Sequence, residues 1–178
     1  LMPQHWSAGL RGWLDRAIVA GRAPRAELVI QGPLADFPFH KNPSGRWALD
    51  IDATDVELAY HPDWPLVNDV QAKLHFEGSS LSIESTHGSV SGNPIERVTA
   101  SFPEFATGQL LVDGTVRGEA SRYYDFLQRS PLRDKLEALV TQTTGSGPGN
   151  VEIHLDIPVK DPHETKLQGT VSLDGVVL

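Results

Sequence analysis

The 178-residue chain contains no cysteine, so neither a disulfide nor a cysteine-ligated metal can hold the fold together. That absence does not decide the compartment. Positive charge is scarce as well: 15 lysines and arginines stand against 23 aspartates and glutamates, a formal net charge of −8. No basic run interrupts the deficit, which argues against nucleic acid as a partner, because polyphosphate binding needs clustered Lys and Arg. There is no signal peptide and no run of about 18 apolar residues, so these residues do not span a bilayer as a helix. Also missing are GxSxG, a glycine-rich phosphate loop and GxGxxG. No catalytic residue, no metal site and no cofactor is expected.

What remains is 39% hydrophobic with 16 glycines and 13 prolines, the composition of a turn-rich globular protein of one or two domains. Residues 10–22 (LRGWLDRAIVAGR) place Leu10, Trp13, Leu14, Ala17 and Ile18 at helical spacing. Ser7 is the expected N-cap and Gly21 the C-terminal stop. The period then switches to two. Ala26, Leu28 and Ile30 alternate with Glu27 and Gln31; Trp47, Leu49 and Ile51 alternate with Asp50 and Asp52. Val70, Ala72, Leu74 and Phe76 continue the pattern, followed by Leu81 and Ile83, by Val98, Ala100 and Phe102, and by Leu110, Val112 and Val116. Each segment predicts a half-buried strand of an antiparallel sheet. Gly78-Ser79-Ser80, Gly88, Gly92-Asn93-Pro94 and Thr107-Gly108 read as connections. Residues 121–128 and 132–143 predict two further helices, the second with Pro131 at its first position. Residues 141–149 (TQTTGSGPG) form the flexible stretch best suited to a unit boundary.

The pattern then recurs. Residues 132–143 repeat the helix, 150–159 (NVEIHLDIPV) the strand after it, and 166–178 match 46–58, at offsets of about 120–122 residues. An abrupt start and a stop inside the second copy read as an internal piece of a longer array. The expected organisation is a first unit over 1–144 and the start of a second over 145–178, continuous with the same sheet. Residues 46–60 carry a further mark: apolar side chains fall on odd positions through Ala53 and on even ones from Val56. A slip at Thr54-Asp55 turns the strand over unless a bulge corrects it. The second copy slips at Asp174-Gly175.

No constellation of polar residues stands out. Of seven histidines, His75 and His154 fall on the wet side of alternating strands. His61 with Asp63 and His154 with Asp156 have HxD spacing, a weak metal signal without a third ligand. Asp50, Asp52, Asp55 and Glu57 lack the glycine and terminal glutamate of a calcium loop, and solvation of a strand explains them equally well. Residues 60–65 (YHPDWP) read as a rigid corner whose Trp64 plugs the end of the sheet, and residues 32–39 (GPLADFPF) as a strand end and loop. The greasy side of the strands is the candidate surface. Either the sheet curls into a closed sandwich, or part of that side stays open as a groove.

The order of these motifs resembles the AsmA-like proteins of the YhdP family of Gram-negative bacteria. The likeness is carried by Trp13-Leu14-Asp15-Arg16-Ala17, residues 32–39, Pro62-Asp63-Trp64-Pro65, Leu74-His75-Phe76-Glu77-Gly78 with Leu81-Ser82-Ile83, and Ser130-Pro131-Leu132. It implies an α+β fold: a predominantly antiparallel, strongly curved sheet with a few short helices packed on it. It also implies a periplasmic part of an inner-membrane-anchored protein, with an apolar groove for phospholipid acyl chains. Neighbouring repeats of the same chain would be partners, and the membrane would be met only through other parts of the protein. The expected lining is Leu28 and Ile30, then Trp47, Leu49 and Ile51, then Leu74 and Phe76, then Leu110, Val112 and Val116, and finally Ile153 and Leu155. A non-catalytic scaffold or interaction module with a closed core is the alternative, and a hydrolase has only scattered polar residues behind it.

Overall fold

The structure, a computed structural model, describes residues 12, 15–39, 45–60, 63–130, 133 and 147–173. Among these, β-structure dominates and helix is sparse. Eight strands pair antiparallel in strict sequence order. They are β1 (Ile18–Gln31), β2 (Arg46–Leu58), β3 (Val67–Glu77), β4 (Ser80–Val90), β5 (Asn93–Phe102), β6 (Gln109–Glu119), β7 (Pro148–Pro158) and β8 (Lys166–Leu173). Neither β1 nor β8 has a second partner strand, so the sheet is open at both edges among the described residues. One helix, α1 (Ala120–Gln128), follows β6, and short 3-10 turns at Leu34–Asp36 and Pro162–Glu164 lie in the β1–β2 and β7–β8 connections.

The expected helix over 10–22 is cut short. Gly12 and Asp15–Ala17 are helical, but Ile18 onward is strand, with Ile18 opposite Leu58 and Ala20 opposite Glu57. β-Branched Ile18 and Val19 favour the pleated surface, and pairing with β2 overrides the helical spacing of the apolar residues. Pro24 is tolerated because β1 is an edge strand and its register slips between Arg22 and Arg25. Gly88 is not a connection either. It lies inside β4, while Ser91-Gly92 make the turn and Asn93 begins β5. Both turn residues have positive φ, 49° and 75°, the backbone that two-residue hairpins of the I′ type need. Pro148 and Gly149, expected in the flexible stretch, already belong to β7. The helix expected over 132–143 lies outside the described residues except for Arg133, and the second slip at Asp174-Gly175 lies outside them altogether.

The slip at Thr54-Asp55 is a bulge, not a break. Ala53 pairs with Ala72 and Val56 with Val70, so the apolar residues stay on one side. Asp55 takes up the extra residue at φ 54°. The irregularity crosses the neighbouring strands too, through Asp69 (φ 55°) in β3, Gly88 (φ 149°) in β4 and the shift between Ile95 and Arg97 in β5. From β6 to β8 the register is regular. A bulge bends its strand and increases local twist, so this seam sets the shape of the first five strands.

The buried core sits at one end of the strands. Trp47, Phe76, Leu81, Phe102 and Leu110 project from the sheet, and Phe39, Phe105 and Val159 fold over them from three connections. Phe102 is only 1% exposed and lies 5.9 Å from the Phe105 ring. Each fully buried side chain of this size contributes about 1.5–3 kcal/mol.

The bulge makes a direct prediction. Asp55→Asn keeps a side chain that accepts left-handed backbone and is expected to leave stability within about 0.5 kcal/mol of the parent. Asp55→Val puts a β-branched residue at φ 54° and is expected to cost about 1–2 kcal/mol in urea unfolding. Both substitutions also remove the ion pair between Asp55 and Arg22, which at 3.8 Å and in solvent contributes little. Equal midpoints for the two variants would rule out the strained bulge.

Candidate functional site

An antiparallel ladder sorts side chains by register, and here it makes two unlike faces. On one face a single rung of aliphatic residues crosses the whole sheet. Ala26 pairs with Ile51, Ile51 with Leu74, Leu74 with Ile83, Ile83 with Ala100, Ala100 with Val112, Val112 with Leu155 and Leu155 with Leu167. With strands about 4.8 Å apart the rung runs about 34 Å. A second rung beside it joins Leu28, Leu49, Phe76, Leu81 and Phe102, and is continued by Leu110 opposite Ile157. On the other flank Ile95, Val116, Val151 and Val171 line up.

All twelve expected lining residues therefore share this face, but not one environment. Trp47, Phe76 and Leu110 are buried in the core. Leu49, Ile51, Leu74, Val112, Val116, Ile153 and Leu155 are half-buried. Leu28 and Ile30 on the β1 edge stay 55% and 39% exposed. Sequence reasoning left out Ala26, Ile83, Ala100 and Leu167, although each sits on the same rung. Their alternation was visible, but only the register shows that they complete it.

The two ends of the strands are closed differently. At one end stand Phe39, Phe105 and Val159 of the core. At the other, α1 lies across the strand ends. The Tyr123 hydroxyl donates to Gly149 O at 2.8 Å, with Val116 O an alternative at 3.1 Å. Arg122 donates to Gly92 O, and Phe126 packs 5.8 Å from Trp64, itself 6.2 Å from Tyr60. Desolvation raises the pKa of both tyrosines, that of Tyr60 most. Tyr60 and Trp64 of the expected corner thus pack together beside α1, while His61 and Pro62 lie outside the described residues. Sideways, towards β1 and β8, the apolar face runs out to exposed Leu28, Leu167 and Val171.

The opposite face is polar, and several of its charges are paired from strand to strand. Asp50 Oδ1 lies 2.7 Å from His75 Nδ1, and Asp113 Oδ1 lies 2.8 Å from His154 Nδ1. Asp52 stands between Arg25 and Lys73 in register, and Asp55 is 3.8 Å from Arg22. Asp50 and Asp55 thus meet side chains of β3 and β1, and Asp52 lies in register between two cations. Asp156 accepts from Gln109, which separates it from the His154 pair. Asp50, His75 and Ser82 fall on one rung, the residue types of an acyl-transfer triad. The chemistry does not follow. His75 Nε2 faces Glu77 Oε2 at 3.8 Å, not a serine hydroxyl, and the site is an exposed sheet surface without a desolvated oxyanion pocket.

Among the described residues no helix is long and apolar enough to cross a membrane. Comparison with known proteins gives two similarities. The sequence model of a family described as "YhdP protein" matches residues 2–176. The intermembrane phospholipid transporter YhdP of Escherichia coli (strain K12) is 28% identical over 147 residues, which is 83% of this chain and 12% of that protein. The chain thus spans about an eighth of the length of that relative. No solved structure matches it.

The paired histidine yields a pH prediction. The hydrogen bond that His75 donates to Asp50, with the charges of Asp50 and Glu77, raises the His75 pKa above its usual 6.5. The folded state therefore favours imidazolium. The resulting stability is fully present below about pH 6.5 and disappears as pH rises through the folded-state pKa. The two side chains are 46% and 62% exposed, so the effect is about 0.2–1 kcal/mol. In Asp50→Asn an NMR titration is expected to move the His75 midpoint down, with the stability gap to the parent narrowing as pH rises above about 6.5. An unmoved midpoint would show that Asp50 does not hold the imidazolium.

Proposed function

The chain belongs to the YhdP family, and on that premise we propose that its apolar face is a stretch of a lipid-carrying groove. In this reading phospholipid acyl chains lie on the rung from Ala26 to Leu167 while their headgroups stay in water. The rung carries the argument: seven consecutive strand pairings keep an aliphatic residue in the same register. Its length of about 34 Å exceeds the depth of one membrane leaflet's chains, about 15 Å. Its inner members are half-buried, and it reaches both open edges of the sheet. A chain lying there exchanges water for apolar contact, about 0.8 kcal/mol per CH₂. No covalent step is needed, and transfer is movement along equivalent contacts. On the same premise the segment works in the periplasm, as part of an inner-membrane-anchored protein that carries phospholipid between inner and outer membranes.

The proposal includes a repeat, with a first unit over 1–144 and the next beginning at 145. The two outer hairpins support it. Ile30 opposite Trp47 corresponds to Leu155 opposite Leu167, and Gln31 opposite Arg46 to Asp156 opposite Lys166. Each hairpin has a 3-10 turn in its connection. In this register the second copy of the strand is offset slightly further than the sequence pattern alone suggests, because the second connection is shorter.

The test is lipid extraction. Organic extracts of the purified chain are expected to be enriched in phospholipid over those of a control protein, by mass spectrometry. Leu155→Glu and Ile83→Glu put a charge on the rung and are expected to lower the bound lipid several-fold, since an unpaired carboxylate is costly to desolvate. Ser82→Glu, on the polar face beside His75, is expected to leave it unchanged. Extracts no richer than the control would sink the proposal, and equal loading in all three variants would move the lipid off the rung.

A further inference from the structure

The two open edges of the sheet are unlike. β1 shifts register three times against β2 and carries Arg22, Pro24, Arg25 and Glu27, features that blunt an edge against further pairing. β8 pairs with β7 from Lys166 to Leu173 without a shift, so its free side offers an unbroken row of backbone N–H and C=O groups. It holds no proline and, after Lys166, no charge. Two of its apolar side chains also stand in water: Leu167 is 43% exposed and Val171 61%. β2 offers the comparison. When Ile30 opposite Trp47 is matched to Leu155 opposite Leu167, Leu49, Ile51 and Ala53 fall on Gly169, Val171 and Leu173. Ile51 is half-buried because it lies between Ala26 of β1 and Leu74 of β3. Val171 has Val151 of β7 on one side and, among the described residues, no strand on the other.

We infer that the β8 edge receives a strand of β3's residue pattern, supplied by another repeat unit and added antiparallel. The register is that of β3 on β2, where Phe76 opposes Leu49, Leu74 opposes Ile51 and Ala72 opposes Ala53. On β8 the same three residues oppose Gly169, Val171 and Leu173. The inference rests on the repeat in the reading above. Backbone bonds hold such a strand, and its alternate side chains fix the register. Gly169 favours this register: a Cβ built there meets nothing closer than Glu152 O at 3.5 Å and Ile153 Cγ2 at 3.9 Å. An aromatic ring from the added strand can therefore lie over the glycine. The polar side is less demanding. Asp50 and Asp52 of β2 stand opposite His75 and Lys73, but the matching residues of β8 are Thr170 and Ser172, so the added strand needs no cation there. A second copy of the chain is a poorer occupant. Its β3 is already paired on both sides, and a β8–β8 pair has no aromatic residue to cover Gly169.

The experiment adds synthetic peptides to the whole chain and follows its backbone amides by NMR. A peptide of residues 67–77 (VNDVQAKLHFE) is expected to shift and protect the amides of β8 and to leave those of β1 unmoved. Nuclear Overhauser contacts are expected between peptide Leu74 and Val171. Phe76→Ala in the peptide is expected to weaken binding about two- to fivefold, the size of one cross-strand pair. Lys73→Gln in the peptide is expected to change nothing. All substitutions are in the peptide, so none can unfold the protein. No binding, binding at β1, or equal binding of a peptide with the same residues in scrambled order overturns the inference. Self-association of the chain through the β8 amides without peptide also overturns it, and gives the edge to a second copy. Each of these results leaves the lipid reading standing, because the extracts decide that reading. Conversely, a peptide seated on β8 while the extracts carry no lipid sinks the lipid reading alone.

Discussion

Cross-strand register is the constraint on which the rest of this structure depends. Side chains alternate with a period of two, so a slip of one residue in any strand would turn that strand's apolar set into solvent. Seven pairings in a row keep Ala26, Ile51, Leu74, Ile83, Ala100, Val112, Leu155 and Leu167 on one line. The bulges at Asp55 and Asp69 are therefore corrections as well as bends. Without the extra residue in β2, Val56 and Leu58 would oppose Val70 and Val67 from the wrong side. The polar face follows from the same constraint. Once the apolar residues are in register, their neighbours are too, and Asp50 meets His75 as Asp113 meets His154.

The ends of the strands supply what a one-sided sheet cannot. A sheet with a half-covered face needs a packed region to fix it, and that region lies at one end, where Phe39, Phe105 and Val159 cover Phe76, Leu81 and Phe102. The loops are tied in by backbone bonds: Phe105 N donates to Ser79 O at 2.8 Å and Val159 N to Gly108 O at 2.9 Å. Concentrating burial at one end leaves the middle rung only half-buried. α1 does the converse job at the far end through a small set of interactions: one tyrosine hydroxyl, one arginine and one aromatic pair.

How much of this was legible in the sequence follows from which signals are local. Alternation is local, and it located most strands and put all twelve expected lining residues on one face. The bulge was legible because Asp55 interrupts the phase within a single strand. The boundary between helix and β1 was not. Leu10, Trp13, Leu14, Ala17 and Ile18 keep helical spacing, and only the partner strand, through Leu58 and Glu57, draws Ile18 and Ala20 into the sheet. Gly88 misled for the opposite reason. A glycine marks a turn or a bulge equally well, and the choice depends on Val70 and Ile95, whose side chains leave 3.1 and 3.3 Å for a Cβ there. The completeness of the rung is a property of eight strands together, so no single segment could display it.

A conduit differs from a binding site in how its contacts are distributed. Along the rung the side chains are Ala, Ile, Leu, Ile, Ala, Val, Leu and Leu, with no aromatic and no charged member. Contacts of that kind have similar strength and no preferred direction, so a chain lying on them gains apolar contact at each step without meeting a deep trap. The aromatic residues are kept to the margins, Trp47 and Phe39 at one end and Trp64 and Phe126 at the other. A polar anchor inside the rung would hold one lipid and block the next.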